Sequence, residues 1–321
     1  MSFDSVAASG ATRMGLGLAA VGRPAYITLG RDAELPAVRT VDAMRERAFE
    51  VLDAAYANGV RYLDAARSYG RAEDFLAAWL AHRPDAGDVT VGSKWGYTYV
   101  GDWRVDADVH EVKDHSAQAF ERQLAQTRAL LGARLDLYQV HSLTPDSPVL
   151  TDRALQERLA ALAAEGVTVG LSSSGPGQAE AITAALALEV DGVPLFSTVQ
   201  ATYNLLEPSA GPALAEAHAA GRTVIVKEAL ANGRLARADG LPELAALADV
   251  SGGTADAVAL AAVLRRPWAD VVLSGAVTAA DVLSNLHAVS ITVDEDRLDA
   301  LSVLAEPAPD YWRHRASLPW T

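Results

Sequence analysis

The stretch Val89-Thr90-Val91-Gly92-Ser93-Lys94 runs through small and apolar residues and stops on a lysine. Similar short apolar runs stop on Asp64 and on His141, and the pattern recurs along the rest of the chain. The later runs end at Ser172, Gln200, Lys227 and Ser274. In a barrel of parallel strands all the carboxyl ends meet at one face, where the active site lies. The pattern therefore predicts a (β/α)8 barrel with polar groups converging on its mouth.

Helix-length segments rich in alanine and leucine separate these strands, which favours a parallel sheet. Eight strand–helix units fit, and neither a GxGxxG motif after the first strand (residues 13–17) nor a P-loop is present. We therefore expect one closed barrel over residues 1–321, with segment 290–321, which contains Tyr311 and Trp312, covering the mouth. Helices are predicted near residues 44–57, 73–82, 115–131, 152–165, 177–188, 211–220, 242–249, 255–265 and 279–289.

The composition excludes several functional classes. A net charge of −14, from 27 basic and 41 acidic residues, argues against a nucleic-acid or anionic membrane surface. With no cysteine there is neither a disulfide nor a thiolate nucleophile or metal site, and no metal is expected. Residues Met1–Thr12 lack the features of a signal peptide, and no apolar run approaches the roughly 20 residues of a membrane span. A cytoplasmic protein is expected.

Lysine is rare in this chain. Only three lysines occur among the 27 basic residues, and two of them, Lys94 and Lys227, end apolar strands. Burying the Lys94 ammonium without a partner would cost several kcal/mol, so a carboxylate such as Asp64 is expected beside it.

Several blocks of sequence together resemble the aldo-keto reductase family over nearly the whole chain. The blocks are Asp64-Ala65-Ala66-Arg67-Ser68-Tyr69-Gly70, then residues 91–94, 135–141, 170–172, 200–204 and 274–275, with Asn285 downstream. The resemblance implies a nicotinamide-dependent oxidoreductase that reduces aldehydes and ketones to alcohols, or runs in reverse on a sugar hemiacetal. Its partner would be a small carbonyl compound or sugar.

Carbonyl reduction explains why these residue types occur together. Hydride addition leaves negative charge on the carbonyl oxygen, so an acid must deliver a proton. Tyr69 would be that acid, and Lys94 would lower its pKa from the ordinary value of about 10. Asp64 would keep Lys94 charged and oriented, and His141 would hydrogen-bond the substrate oxygen or assist proton transfer.

The resemblance also implies a set of cofactor contacts. Ser172 and Gln200 would bind the nicotinamide carboxamide, with Ser173 where the family usually has asparagine, and Tyr203 would stack on the ring. Leu230 and Gly233 belong to the loop that crosses the pyrophosphate, and Ser274 and Asn285 lie in the later blocks, with Asn285 at the adenine. Gly275 and Asp281 stand where basic residues often bind the 2′-phosphate, so NADP(H) is expected by family default with NAD(H) also accepted.

The chain departs from the family before that loop. Lys227 and Glu228 stand where the family commonly has an aromatic residue and a serine. Glu228 would repel a pyrophosphate unless Lys227 neutralises it.

Aromatic residues cluster just after Lys94, where they are expected to line a substrate pocket or to form a lid or dimer contact. These residues are Trp95, Tyr97, Tyr99 and Trp103. Arg67 is a candidate for holding a substrate carboxylate or, alternatively, a solvated arginine.

Two other functions stay open on the sequence alone. Lys227 or Lys94 at a strand end could form a Schiff base in an aldolase. The chain could also be a nicotinamide-binding regulatory subunit with slow turnover. The substrate, the direction of the reaction and the oligomeric state are not determined by the sequence.

Overall fold

Eight parallel strands close into a barrel in the computed structural model, which describes residues 13–321. The first twelve residues, on which the absence of a signal peptide was inferred, lie outside the described residues. In chain order the strands are β1 (Met14–Gly17), β2 (Tyr62–Asp64), β3 (Thr90–Trp95), β4 (Tyr97–Tyr99), β5 (Glu111–Lys113), β6 (Leu137–Leu143), β7 (Thr168–Ser173), β8 (Glu189–Val190), β9 (Val193–Pro194), β10 (Thr198–Thr202), β11 (Thr223–Lys227) and β12 (Val271–Ser274).

The barrel strands follow one another around the ring in the order of the chain: β1, β2, β3, β6, β7, β10, β11 and β12, with β12 closing on β1. The pairs β4–β5 and β8–β9 are separate antiparallel hairpins. The predicted (β/α)8 architecture is confirmed.

Eleven α-helices pack around the barrel within residues 13–321; the first nine lie at the predicted places, and the last two were not predicted as helices. They are α1 (Val41–Ala57), α2 (Ala72–His82), α3 (Ala117–Leu131), α4 (Arg153–Ala164), α5 (Gln178–Leu186), α6 (Gly211–Ala219), α7 (Pro242–Ser251), α8 (Ala255–Leu264), α9 (Ala279–His287), α10 (Glu295–Leu301) and α11 (Ala308–Ser317). Local chemistry sets the ends of α1. Thr40 caps its first turn by accepting a hydrogen bond from Ala43 N, and the helix ends at its C-cap residue Asn58, followed by Gly59 with a positive φ of 91°.

The barrel interior is filled by a small cluster of side chains around Tyr62. Glycine is required opposite this ring, because a Cβ at Gly92 would lie 2.5 Å from the Tyr62 hydroxyl oxygen and one at Gly15 2.9 Å from its ring. The space allows the Tyr62 hydroxyl to donate to Asp64 Oδ2 at 2.8 Å. The packing of the barrel interior thus helps to hold Asp64, the polar residue at the end of β2, in position.

The C-terminal segment packs back on the loop after β1. Tyr311 and Trp312 of α11 are buried, and Ile27 and Trp320 form an isolated antiparallel bridge. Within the described residues no single helix has the length and hydropathy of a membrane span. Helices α7 and α8, which meet at 88°, pass that test together by length and composition.

Candidate active site

A cavity of about 890 Å³ opens at the carboxyl ends of the barrel strands. Strand ends contribute Gly17, Asp64, Lys227 and Ser274 to its wall. The cavity extends from Tyr69 and His141 to Thr254 and Asn285. Its volume lies within the range of small-molecule and cofactor sites.

Asp64, Tyr69, Lys94 and His141 lie together at one part of this site. The Lys94 ammonium, which is fully buried, donates to Asp64 Oδ1 and, at 3.0 Å, to the carbonyl oxygen of Ala65. It also donates to the Tyr69 hydroxyl at 3.4 Å, the long limit of a hydrogen bond. The rings of Tyr69 and His141 meet edge to face with centroids 5.4 Å apart.

Asp64 is a hydrogen-bond acceptor for several buried donors. Besides Lys94 and Tyr62, its carboxylate accepts from Gln200 Nε2 at 2.9 Å. Since Asp64 and Lys94 are almost completely buried, each compensates the charge of the other. This is the pairing that burial of the lysine predicted.

A tight turn after β2 places Tyr69. Its amide donates to the carbonyl of Ala66 at 3.0 Å, and Gly70 follows with φ of 60°. A Cβ at Gly70 would lie 2.7 Å from the carbonyl oxygen of Gly22, so the turn needs glycine for both its φ and its close approach.

The acidity of Tyr69 differs from the sequence expectation. Burial and the Asp64 carboxylate raise the pKa of Tyr69 well above its ordinary value, with Arg23 opposing them. The net direction is opposite to the expected lowering, and burial of the phenol is its largest cause. The phenol is held in its protonated form, which is the form that a proton donor requires.

His141 is held neutral. Burial, with the charges of Lys94, Lys227 and Arg23, lowers the pKa of His141 well below its ordinary value. Ser68 Oγ lies 3.3 Å from His141 Nδ1; when the serine is the donor of this contact, the ring proton is on Nε2 and can be donated. A neutral imidazole of this kind can hydrogen-bond a carbonyl oxygen.

Most of the predicted cofactor residues line the cavity. Those that do are Gln200, Leu230, Gly233, Ser274, Gly275, Asp281 and Asn285. Ser172 and Ser173 are fully buried and do not line it, whereas Ser174 does. Ser172 Oγ accepts from the Ser142 amide at 2.9 Å, so it supports the strand end beside His141.

Two aromatic residues predicted to contact ligands lie elsewhere. Tyr203 packs against Trp268, with ring centroids 4.8 Å apart, and is not among the residues that line the cavity; its stacking on a cofactor ring stays a prediction. Trp95 is fully buried beside Phe120 and His115, in the layer between barrel and helices, and is not a substrate contact. Neighbouring side chains of a strand point to opposite faces, so Lys94 and Trp95 cannot both face the mouth.

Arg67 and Trp103 also serve the fold. Arg67 forms an ion pair with the buried carboxylate of Glu73 and does not line the cavity, and its role with a substrate carboxylate stays a prediction. Trp103 donates from Nε1 to the carbonyl of Arg39 at 2.8 Å and packs on Phe75, so it ties two loops together away from the cavity.

Tyr97 is the member of the aromatic cluster that lies at the site. Its ring meets that of His141 with centroids 5.1 Å apart.

The structure adds residues that sequence reasoning missed. Arg23, which is 2% exposed, pairs with Glu111 at 2.8 Å, and its guanidinium lies 5.3 Å from the centre of the Tyr69 ring. Trp320 lines the cavity and stacks on His110 at 4.3 Å. No local pattern marks these residues, because each contact joins distant parts of the chain.

Glu228 is neutralised mainly by a residue from the C-terminal segment. Arg315 of α11 donates to both carboxylate oxygens of Glu228, while Lys227 lies 4.0 Å away. Burial alone would raise the pKa of Glu228, but Arg315 and Lys227 lower it to about 2. The pair holds segment 290–321 against the cavity wall.

Comparison with known proteins agrees with this geometry. The Aldo/keto reductase family profile matches residues 38–306. The aldo-keto reductase str7 of Strobilurus tenacellus is 33% identical over 102 residues, which span 32% of this chain and 27% of that protein. The chain thus spans about a quarter of the length of this curated relative.

Solved structures share the fold at lower identity. An aldo-keto reductase from Bacillus halodurans in its holo form superposes with a TM-score of 0.70 at 22% identity, covering 93% of both chains. An aldo/keto reductase from Klebsiella pneumoniae, in complex with NADP and acetate, gives 0.66 at 22% identity over 93% of this chain and 92% of that one. The glycerol dehydrogenase of Gluconobacter oxydans gives 0.69 at 20% identity over 92% and 91%. Because the family profile covers most of the sequence, this chain belongs to the aldo/keto reductase family.

Proposed function

We propose that the protein is a nicotinamide-dependent oxidoreductase that interconverts a carbonyl group and an alcohol, with Tyr69 as the general acid. The observation that carries this proposal is the contact of the protonated Tyr69 hydroxyl with Lys94, beside the neutral ring of His141, on one wall of a large cavity. A small aldehyde, ketone or sugar hemiacetal is the substrate class that this chemistry serves.

The cavity fits a nicotinamide cofactor on the chemistry of its wall. Gln200 Oε1 is buried and has no hydrogen-bond partner within residues 13–321, while its Nε2 is held by Asp64. A carboxamide N–H₂ group is the kind of donor that this acceptor lacks. Leu230, Gly233 and Asn285 would line the rest of the cofactor's path.

Tyr69 and His141 would act on the substrate oxygen together. A reduced nicotinamide, when bound, supplies the hydride. Tyr69 Oη donates its proton to the oxygen as negative charge develops there, and His141 Nε2–H holds the same oxygen in place. Lys94 donates to Tyr69 Oη and stabilises the phenolate that is left, and Asp64 keeps Lys94 charged. In the oxidation direction the same groups receive and relay the proton.

The far end of the cavity favours relaxed cofactor selectivity. The Asp281 carboxylate accepts from the amides of Val277 and Thr278 and so caps α9, and it offers no positive charge to a 2′-phosphate. Arg234, which also lines the cavity, is paired with Glu306, so its charge is already compensated. We expect kcat/KM for NADH and NADPH to differ by no more than about tenfold, or roughly 1.4 kcal/mol.

Replacement of the proposed acid tests the mechanism. Tyr69→Phe should lower the rate of reduction of a reactive aldehyde by about 10²–10⁴, since the proton donor is lost. Nicotinamide binding, followed by protein fluorescence, should survive, because the hydroxyl is not a cofactor contact in this scheme. Full activity in Tyr69→Phe would refute the assignment.

Lys227 is the lysine that could form a Schiff base if the protein were an aldolase. Burial lowers the pKa of Lys227 to about 8, with Glu228 opposing, and the side chain lines the cavity. Lys94, in contrast, is engaged by Asp64 and Ala65 and has no free face for a carbonyl. Borohydride trapping of a carbonyl substrate on the protein, lost in Lys227→Met, would favour an aldolase over the oxidoreductase.

A further inference from the structure

Lys227 is a cavity cation that the proposed proton transfer does not use. It ends β11, its side chain is 15% exposed, and it shares the cavity wall with Tyr69, His141 and Gln200. Its ammonium donates to Thr202 Oγ1 at 2.8 Å, and that hydroxyl donates onward to Glu228 Oε2 at 2.9 Å. The amine is therefore fixed in position by a neutral hydroxyl.

The charge of Lys227 is less compensated than that of its neighbours. Three other cations of the site each have a carboxylate in direct contact; the pairs are Lys94 with Asp64, Arg23 with Glu111, and Arg315 with Glu228. Lys227 lies 4.0 Å from Glu228, whose two oxygens already accept from Arg315. One positive charge thus remains at this part of the wall when Lys227 is protonated.

Lys227 is adjacent in the fold to segments that are predicted to bind the cofactor. The loop that carries Leu230 and Gly233 begins directly after β11, and Ser274 ends the adjacent strand β12. Lys227 shares the cavity with Tyr69 and His141, and its charge contributes to lowering the pKa of His141. Hydride transfer requires reacting atoms about 3–3.5 Å apart, so a productive nicotinamide ring must come close to that pair.

We propose that the Lys227 ammonium makes the protein bind reduced nicotinamide more tightly than oxidised nicotinamide. The proposal rests on the proposed function. The oxidised ring carries a positive charge and the reduced ring does not, so a fixed, poorly compensated ammonium in a partly desolvated cavity repels only the oxidised form. The family's usual aromatic residue at this position would carry no such charge. The preference for reduced nicotinamide is therefore expected of the present chain.

The ammonium form is available under ordinary conditions. With the pKa of Lys227 lowered by burial to about 8, most of the side chain is protonated at pH 7.

Binding measurements test the proposal without turnover. The dissociation constants of NADP⁺, NADPH, NAD⁺ and NADH are measured at pH 7 by fluorescence titration for the wild type, Lys227→Met and Lys227→Arg. For each nicotinamide, the ratio of the oxidised to the reduced constant should fall at least about tenfold in Lys227→Met, which corresponds to about 1.4 kcal/mol. In Lys227→Arg, which keeps the charge, the ratio should stay within about threefold of the wild type.

A matched control uses the remaining lysine outside the cavity. Lys113 donates to Thr144 Oγ1 at 2.7 Å on the β4–β5 hairpin, and Lys113→Met should leave the ratio unchanged. Lys227→Gln supplies a second uncharged side chain that can still reach Thr202, should the methionine variant fold poorly. An unchanged ratio in both uncharged variants, with both forms still bound, would overturn the proposal. Failure of the wild type to bind any nicotinamide would instead refute the proposed function itself.

Discussion

A buried carboxylate behind the site offers a sharp test of how the fold holds Tyr69. Glu73 of α2 has a side chain that is 1% exposed, and it forms an ion pair with Arg67 in the loop that carries Tyr69. It also accepts hydrogen bonds from Ser93 at 2.5 Å and from Thr127 at 2.8 Å. Glu73 therefore joins the Tyr69 loop to β3 and α3.

Replacing Glu73 by glutamine removes one charge of this pair and leaves Arg67 unpaired. Breaking a fully buried pair costs about 3–5 kcal/mol. The Arg67 side chain is 21% exposed, so solvent screens part of that loss. We expect Glu73→Gln to lower the free energy of unfolding by about 2–3 kcal/mol. With an unfolding entropy of about 2.1 cal/mol/K per residue, this corresponds to a fall in Tm of about 3–4 °C for a chain of this length.

Thermal unfolding is monitored by circular dichroism for Glu73→Gln and for a control variant at the protein surface. Glu165 pairs with Arg128, with side chains 56% and 40% exposed, and exposed pairs contribute at most about 1 kcal/mol. Glu165→Gln should therefore shift Tm by less than about 1.5 °C. If the two variants melt alike, the buried network does not contribute in the way that its geometry indicates.

Three further predictions follow from the structure. A Cβ at Gly275 would meet no atom within 4 Å, so Gly275→Lys should fold and raise kcat/KM for NADPH relative to NADH at least about tenfold, measured with one aldehyde. The pKa of Lys227 is lowered to about 8 in the folded protein, so between about pH 8 and 10.5 the unfolded chain binds one more proton than the folded protein. The free energy of unfolding of the wild type should therefore rise over that window by about 1–3 kcal/mol relative to Lys227→Met. Equal pH slopes of the two proteins in thermal melts would contradict this. Trp320 stacks on His110 and lies under the Arg23 guanidinium at 4.9 Å, so Trp320→Ala should raise KM for the carbonyl substrate at least about threefold and leave the Kd for nicotinamide unchanged.

Much of the architecture could be predicted because it depends on local patterns. The helix expected near residues 73–82 is found at Ala72–His82, since apolar periodicity is a property of consecutive residues. Asp64 was expected beside Lys94 because a buried ammonium requires a carboxylate, and the two are in contact.

Some predicted contacts depend on the direction in which a side chain points, and packing decides that direction. Strand alternation already places Trp95 opposite Lys94, and this signal was available in the sequence. Tyr203 lies beyond the end of β10, where no periodicity applies, and Trp268 decides which way its ring points.

The sequence by itself determined the barrel, the strand ends and the residue types that meet at the mouth, because strand and helix periods are local properties. The tertiary structure alone decided the charges around the site. Arg23 reaches Glu111 across 88 residues, and Arg315 reaches Glu228 across 87. Such contacts are set by how distant loops pack over the barrel, and that packing leaves Lys227 4.0 Å from a carboxylate, Glu228, that already pairs with Arg315.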